Sequence, residues 1–82
     1  MYTKKDFGKE LKKKVLQKQN ISNIGHWAYS VYCDKIGDVD TTFEHILLTL
    51  STMENSVEFA FTYKELEQIA DDLIFGKKVN LL

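Results

Sequence analysis

Apolar residues recur along this chain at intervals of three and four, the spacing that places side chains on one face of a helix. Between residues 4 and 18, Phe7, Leu11 and Val15 lie four apart, Leu16 widens the stripe, and lysines occupy the other faces. Thr3 is placed to cap this helix, because its hydroxyl can accept an amide proton that the first turn leaves unbonded. Gly8 stands inside the helix. There it costs about 1 kcal/mol relative to alanine, so the pattern predicts a frayed first turn. A second helix is predicted over residues 22–36, with Ser22 as its cap and Gly37 as its stop. Ile24, Trp27, Ala28, Val31 and Lys35 share one face of it, Tyr32 borders that face, and His26, Tyr29, Ser30 and Cys33 point outward.

Gly37, Asp38, Val39 and Asp40 have turn chemistry, after which Thr41 and Glu44 have the spacing of a capping box. The third helix, over 41–54, carries Phe43, Ile46, Leu47, Leu50 and Met53 as its stripe. Val57, Phe59 and Phe61 then alternate with Glu58 and Ala60, a period of two that predicts an extended stretch laid over the core. Without a second strand to pair with, it forms no sheet. Thr62 and Glu65 make another capping box, and Leu66, Ile69, Ala70, Leu73 and Ile74 form the most regular stripe, in a helix over 62–75. Gly76 ends it, with Lys77 and Lys78 at the carbonyl end of its dipole. Amphipathic helices joined by short links predict an all-α fold, a compact antiparallel bundle of about four helices in a single domain over 1–82.

Composition fits that size. The 82 residues include ten aromatic side chains and 44% apolar residues, enough for a packed interior in one small domain. Cys33 is the sole cysteine, so neither an internal disulfide nor a multi-cysteine zinc site can form, and a reducing, cytoplasmic setting is expected. No apolar run approaches the roughly 20 residues that cross a bilayer. The lysine-rich N-terminus lacks the apolar core of a signal peptide, so the mature chain is expected to start at Met1.

Charge divides the chain. Residues 1–20 hold seven lysines against Asp6 and Glu10, a net of +5, whereas residues 21–82 hold four lysines against ten acids, a net of −6. All eleven basic residues are lysine. Arginine supplies the bidentate fork that reads guanine and grips phosphate, so its absence disfavours specific nucleic-acid recognition. An AT-rich genome would produce the same bias. Lys5, Lys9, Lys12 and Lys13 lie near one another on the first helix and could contact phosphates, or simply form a solvated face.

Catalytic constellations are not evident. His26 and Cys33 share a helical face but stand seven residues apart, roughly 10 Å along the axis, where a thiol needs its base within about 3 Å. His26 and His45 have no ligand partner at helical spacing, so no metal site is expected. The four glycines are scattered, so no phosphate-cradling loop and no nucleotide cofactor is expected. The acids are more informative. Asp34, Asp38, Asp40 and Glu44 cluster around the turn between the second and third helices, and Glu65, Glu67, Asp71 and Asp72 decorate the fourth. Such clusters can steer a basic partner, or serve solubility and helix capping. Trp27 lies on the apolar stripe and is expected in the core, whereas Tyr29 projects outward as a candidate interface anchor.

The runs SNIGHWAYSVYCD, TFEHILLTLSTME and EFAFTYKELEQIADDL resemble small bacterial immunity proteins of contact-dependent growth inhibition systems. The likeness is carried by Ile24, Trp27 and Ala28, by the Leu and Met run of the third helix, and by the late Phe-Thr before an acidic, apolar helix, over about residues 21–75. It implies an intracellular protein that binds the C-terminal domain of a cognate toxin, commonly a nuclease, and blocks it, with no catalytic residues of its own. Joined to the charge pattern, it predicts a non-enzymatic inhibitor, monomeric when free, that docks Tyr29, Asp34, Asp38, Asp40 and Glu44 onto a basic toxin domain. The alternatives are a nucleic-acid-binding regulator using Lys12, Lys13 and Lys14, and an adaptor that self-associates through its helix faces.

Overall fold

The computed structural model describes residues 3–35, 41–54 and 60–79. Their elements are α1 (Lys4–Leu16), α2 (Ile21–Lys35), α3 (Thr41–Ser51) with a 3-10 turn at Thr52–Glu54, and α4 (Tyr63–Ile74). No strand occurs among the described residues, so the fold is all-α, as the spacing predicts. Contacts divide the chain into two units: Met1–Gln19 with Phe61–Leu82, holding α1 and α4, and Asn20–Ala60, holding α2 and α3.

In the α1/α4 unit, both helices start with a reciprocal cap. The Thr3 hydroxyl accepts from the Asp6 N–H at 3.2 Å while the Asp6 carboxylate accepts from the Thr3 N–H at 3.0 Å. Thr62 and Glu65 do the same at 3.1 and 2.9 Å. Each box satisfies two amide donors that a bare helix end would leave unbonded. Both helices also end alike. After α1, Lys18 takes a left-handed φ of 53° and the Gln19 N–H donates to the Lys14 carbonyl at 3.1 Å. After α4, Gly76 has a φ of 71° and the Lys77 N–H donates to the Asp72 carbonyl at 2.8 Å. This six-residue closure is the Schellman arrangement, and glycine meets its positive φ without the Cβ clash that Lys18 bears.

The two helices run antiparallel. Gly8, early in α1, lies against Ala70 and Leu73, late in α4. At the opposite end, the Tyr63 hydroxyl donates to the Gln19 carbonyl at 2.8 Å and approaches that of Lys18 at 3.3 Å. Phe7, Leu11 and Val15 of α1 and Leu66, Ile69, Ala70 and Leu73 of α4 are buried, as their spacing predicts. Three features depart from it, the first being Ile74, which is only half-buried. Gly8 does not fray the first turn; it is buried, and a Cβ there would stand 2.8 Å from Leu73 Cβ and 2.9 Å from the Ala70 carbonyl oxygen. Its missing side chain lets the helix backbones approach. Leu16 does not widen the stripe but is 64% exposed, because α4 covers only the face centred on Leu11.

In the α2/α3 unit, Asn20 rather than Ser22 caps α2. The Asn20 side-chain oxygen accepts from the Ser22 N–H at 2.8 Å, and its carbonyl takes the first helical bond from Ile24 at 3.0 Å. Ser22 therefore sits inside the first turn, where its hydroxyl donates to the Glu54 carbonyl at 3.3 Å. Asparagine and serine cap about equally well, so residue type alone does not favour Ser22 over Asn20. Gly25 is a second close approach, since a Cβ there would lie 2.7 Å from the backbone nitrogen of Glu54. Early α2 thus meets the end of α3 and its 3-10 turn, an antiparallel pair.

Ile24, Ala28, Phe43, Ile46, Leu47, Leu50 and Met53 are buried in this unit. Trp27, expected in the core, is only half-buried, at the edge of the stripe that Ile24 and Ala28 centre. Thr41 is the first residue of α3, so the cap position before it falls outside the described residues. Outside them also lie the Gly37 stop, the turn that follows it, and the alternation of Val57 with Phe59. No helix among the described residues is long and apolar enough to cross a membrane.

Candidate protein-docking face

Because Ile24 and Ala28 turn inward, the opposite face of α2 is set by the helical repeat, and His26, Tyr29, Ser30, Cys33 and Asp34 are all exposed there. Tyr29 is 48% exposed, with its ring centroid 6.3 Å from that of Tyr32 and the planes tilted by 31°. The separation is that of an interacting aromatic pair. A hydrogen bond to the Cys33 side chain, one turn on, pushes the Tyr29 hydroxyl above the usual phenol range, with charge on Cys33, burial, Tyr32 and Glu54 adding less. Tyr29 therefore stays an uncharged donor at physiological pH, joined to a broad apolar ring.

His26 and Ser30 on this face are bonded locally. His26 Nδ1 lies 3.0 Å from the Glu54 carboxylate, and the Ser30 hydroxyl donates to the His26 carbonyl at 3.1 Å. Glu54 carried no signal in the sequence, being 28 residues away from its partner. Cys33 is a free, exposed thiol whose side-chain neighbour is Tyr29, while His26 is turned toward Glu54. Among the described residues, no three His, Cys, Asp or Glu side chains converge as a metal site would require.

The five residues expected to dock a partner are placed as follows. Tyr29 and Asp34 are exposed on α2, and Glu44 is half-buried in the first turn of α3. Asp38 and Asp40 lie outside the described residues. The acids of α4 form no comparable surface, contrary to their pattern in the sequence. Glu65 is bound in its capping box, and Asp72 is buried and accepts from the Gln68 amide at 3.0 Å. Asp71 pairs with Lys12 at 2.6 Å. Antiparallel pairing brings Lys12 of α1 against Asp71 and within electrostatic reach of Glu67.

Lys12 takes a raised pKa from its hydrogen bond to Asp71, with the charges of Asp71 and Glu67 also favouring the ammonium and partial desolvation opposing them. A raised pKa means that the pair's contribution is fully present below Lys12's ordinary value of 10.5 and is lost as pH rises through the higher folded value. Urea midpoints of the parent and of Lys12→Met are expected to differ at pH 8 and to draw together as the pH rises past Lys12's ordinary value of 10.5. A gap that does not narrow at all over that rise would exclude the charged pair as its source.

No family model matches this chain, and neither a curated protein nor a solved structure shows significant similarity to it.

Proposed function

We propose that this chain is a cytoplasmic immunity protein that binds and neutralises a cognate toxin domain, with a basic nuclease domain as the partner its charge best suits. The observation that carries this reading is Tyr29: a large aromatic side chain, 48% exposed and beside the Tyr32 ring, on the α2 face that the unit leaves open. Tyrosine offers wide contact area with few torsions to immobilise and is enriched among residues that dominate binding energy. Asp34 lies on the same exposed side, and Glu44, Asp38 and Asp40 follow it closely in sequence, so the anchor has negative charge nearby in the chain. The outer carboxylates would act mainly on the encounter rate, and the aromatic centre on the lifetime of the complex. The resemblance of residues 21–75 to immunity proteins supports the same assignment. The nucleic-acid alternative is weakened because Lys12, one of its three lysines, is committed to Asp71.

The test is association with the C-terminal domain of the product of the neighbouring upstream gene, measured from low to high salt. Tyr29→Ala is expected to weaken Kd by about 30-fold through faster dissociation, in line with the roughly 2 kcal/mol that marks a dominant interface residue. Asp34→Asn is expected to slow association at low salt and to match the parent at high salt. No binding by the parent, or binding indifferent both to salt and to Tyr29→Ala, would remove the assignment.

A further inference from the structure

The exposed side of α1 is a second surface, built in the α1/α4 unit, whereas Tyr29 belongs to the α2/α3 unit. Lys9, Lys12, Lys13, Leu16 and Gln17, spaced as one helical stripe, line an open cleft of about 380 Å³ with Ile74 of α4. Its chemistry is two-fold. Leu16 is 64% exposed and Ile74 half-buried, so the floor is apolar; the lysine stems extend that floor and carry their ammonium groups to its rim. One rim ammonium, that of Lys12, already pairs with a carboxylate, that of Asp71, at 2.6 Å. Lys9 and Lys13 flank it and are both exposed; Lys9 is within electrostatic reach of Asp6, and no ion pair is formed by Lys13 among the described residues.

The geometry points to this cleft as the docking site for an acidic amphipathic helix of a partner protein. Positions 9 and 13 are four residues apart, a rise of about 6 Å, and an occupant helix with carboxylates at i and i+4 repeats that rise. The stripe from 9 to 17 spans about 12 Å, so two to three turns of helix would cover it. Between those carboxylates an apolar side chain would enter the cleft against Leu16 and Ile74, a helix-in-groove arrangement. A nucleic acid fits less well. Its phosphates would satisfy Lys9 and Lys13 but leave Leu16 and Ile74 against water, and the stripe has no arginine to grip a phosphate bidentately.

The experiment titrates the full ¹⁵N-labelled chain with a synthetic amphipathic 15-residue helical peptide carrying a leucine stripe flanked by glutamates at i and i+4. A second peptide has glutamine at the same places, and a 20-base-pair DNA duplex is the third probe. The expected result is saturable shifts of the Lys9, Lys13, Leu16 and Ile74 amides with the glutamate peptide. Binding should be at least ten-fold weaker for the glutamine peptide, for Lys13→Glu and for Leu16→Gln, and Leu16→Gln is exposed enough to leave the fold intact. Absence of saturable shifts, shifts centred on other residues, or equal response to both peptides overturns the proposal. Displacement of the peptide by the duplex, with Lys13→Glu abolishing and Leu16→Gln sparing duplex binding, replaces it with a nucleic-acid surface.

Discussion

A Gly25→Ala variant is expected to melt about 8–16 °C below the parent, although alanine is the better helix former. Propensity alone favours the change by about 1 kcal/mol. Against that, the new methyl would sit 2.7 Å from the Glu54 nitrogen and 3.2 Å from both the Leu50 carbonyl oxygen and the Met53 carbonyl carbon. All three are backbone atoms, so no side-chain rotation can make room, and α2 must move away from the end of α3. Overpacking of this kind costs about 1–3 kcal/mol or somewhat more. Because the clashing atoms are all backbone the upper end applies, and about 3 kcal/mol less about 1 kcal/mol of propensity leaves a net loss near 2 kcal/mol, which corresponds to the stated shift for a domain of this length. Displacement would also strain the Ser22 hydroxyl bond to Glu54, which closes the same junction. Gly8→Ala should act in the same direction, its methyl meeting Leu73 Cβ at 2.8 Å and the Ala70 carbonyl at 2.9 Å. Asn23→Ala, on the exposed side of α2, is the control and should lie within about 0.5 kcal/mol of the parent. Were Gly25→Ala to melt at or above the parent temperature, the close approach of the two backbones would be wrong.

Leu11→Ala and Leu16→Ala are expected to diverge by several kcal/mol despite being the same substitution on the same helix. Leu11 is 0% exposed among the buried residues of the α1/α4 unit, and truncating it removes a transfer term and leaves a cavity, about 2–5 kcal/mol together. That is a large share of the total stability of a domain this small, so the variant is expected to be partly unfolded at 37 °C. Leu16, at 64% exposed, loses little burial and should change stability by no more than about 0.5 kcal/mol. Chemical denaturation monitored by far-ultraviolet circular dichroism reads both. Comparable losses would mean that Leu16 belongs to the interior and that the cleft it lines does not exist as described.

Stripe and cap were legible in the sequence wherever the determinant is local. The Thr62–Glu65 box, the Gly76 stop, the five buried apolar positions of the third helix segment and the outward direction of Tyr29 all follow from residues within about two turns of one another. Asn20 in place of Ser22 shows the limit of local rules: two good caps two residues apart differ only in which one the rest of the helix phase accepts. Part of the candidate site was legible as well. Tyr29 was found by helical phase, but Glu54 beside His26 was not, because nothing in a sequence marks a carboxylate 28 residues away as a neighbour.

Helix number, helix phase and the inward faces were determined by the sequence itself, since a 3.6-residue repeat of apolar side chains fixes which side of each helix leaves water. Tertiary structure alone decided how much of each stripe is covered and which charges meet. The covered width left Leu16 exposed and Trp27 half-buried, and turned two glycines from weak helix formers into points of backbone contact. Pairing joined Lys12 to Asp71 across 59 residues of chain and so removed an acid that composition counts as surface charge. The physical reason is range: hydrophobic phase and capping act within a turn or two, whereas close packing and ion pairing depend on which distant backbone the fold brings alongside.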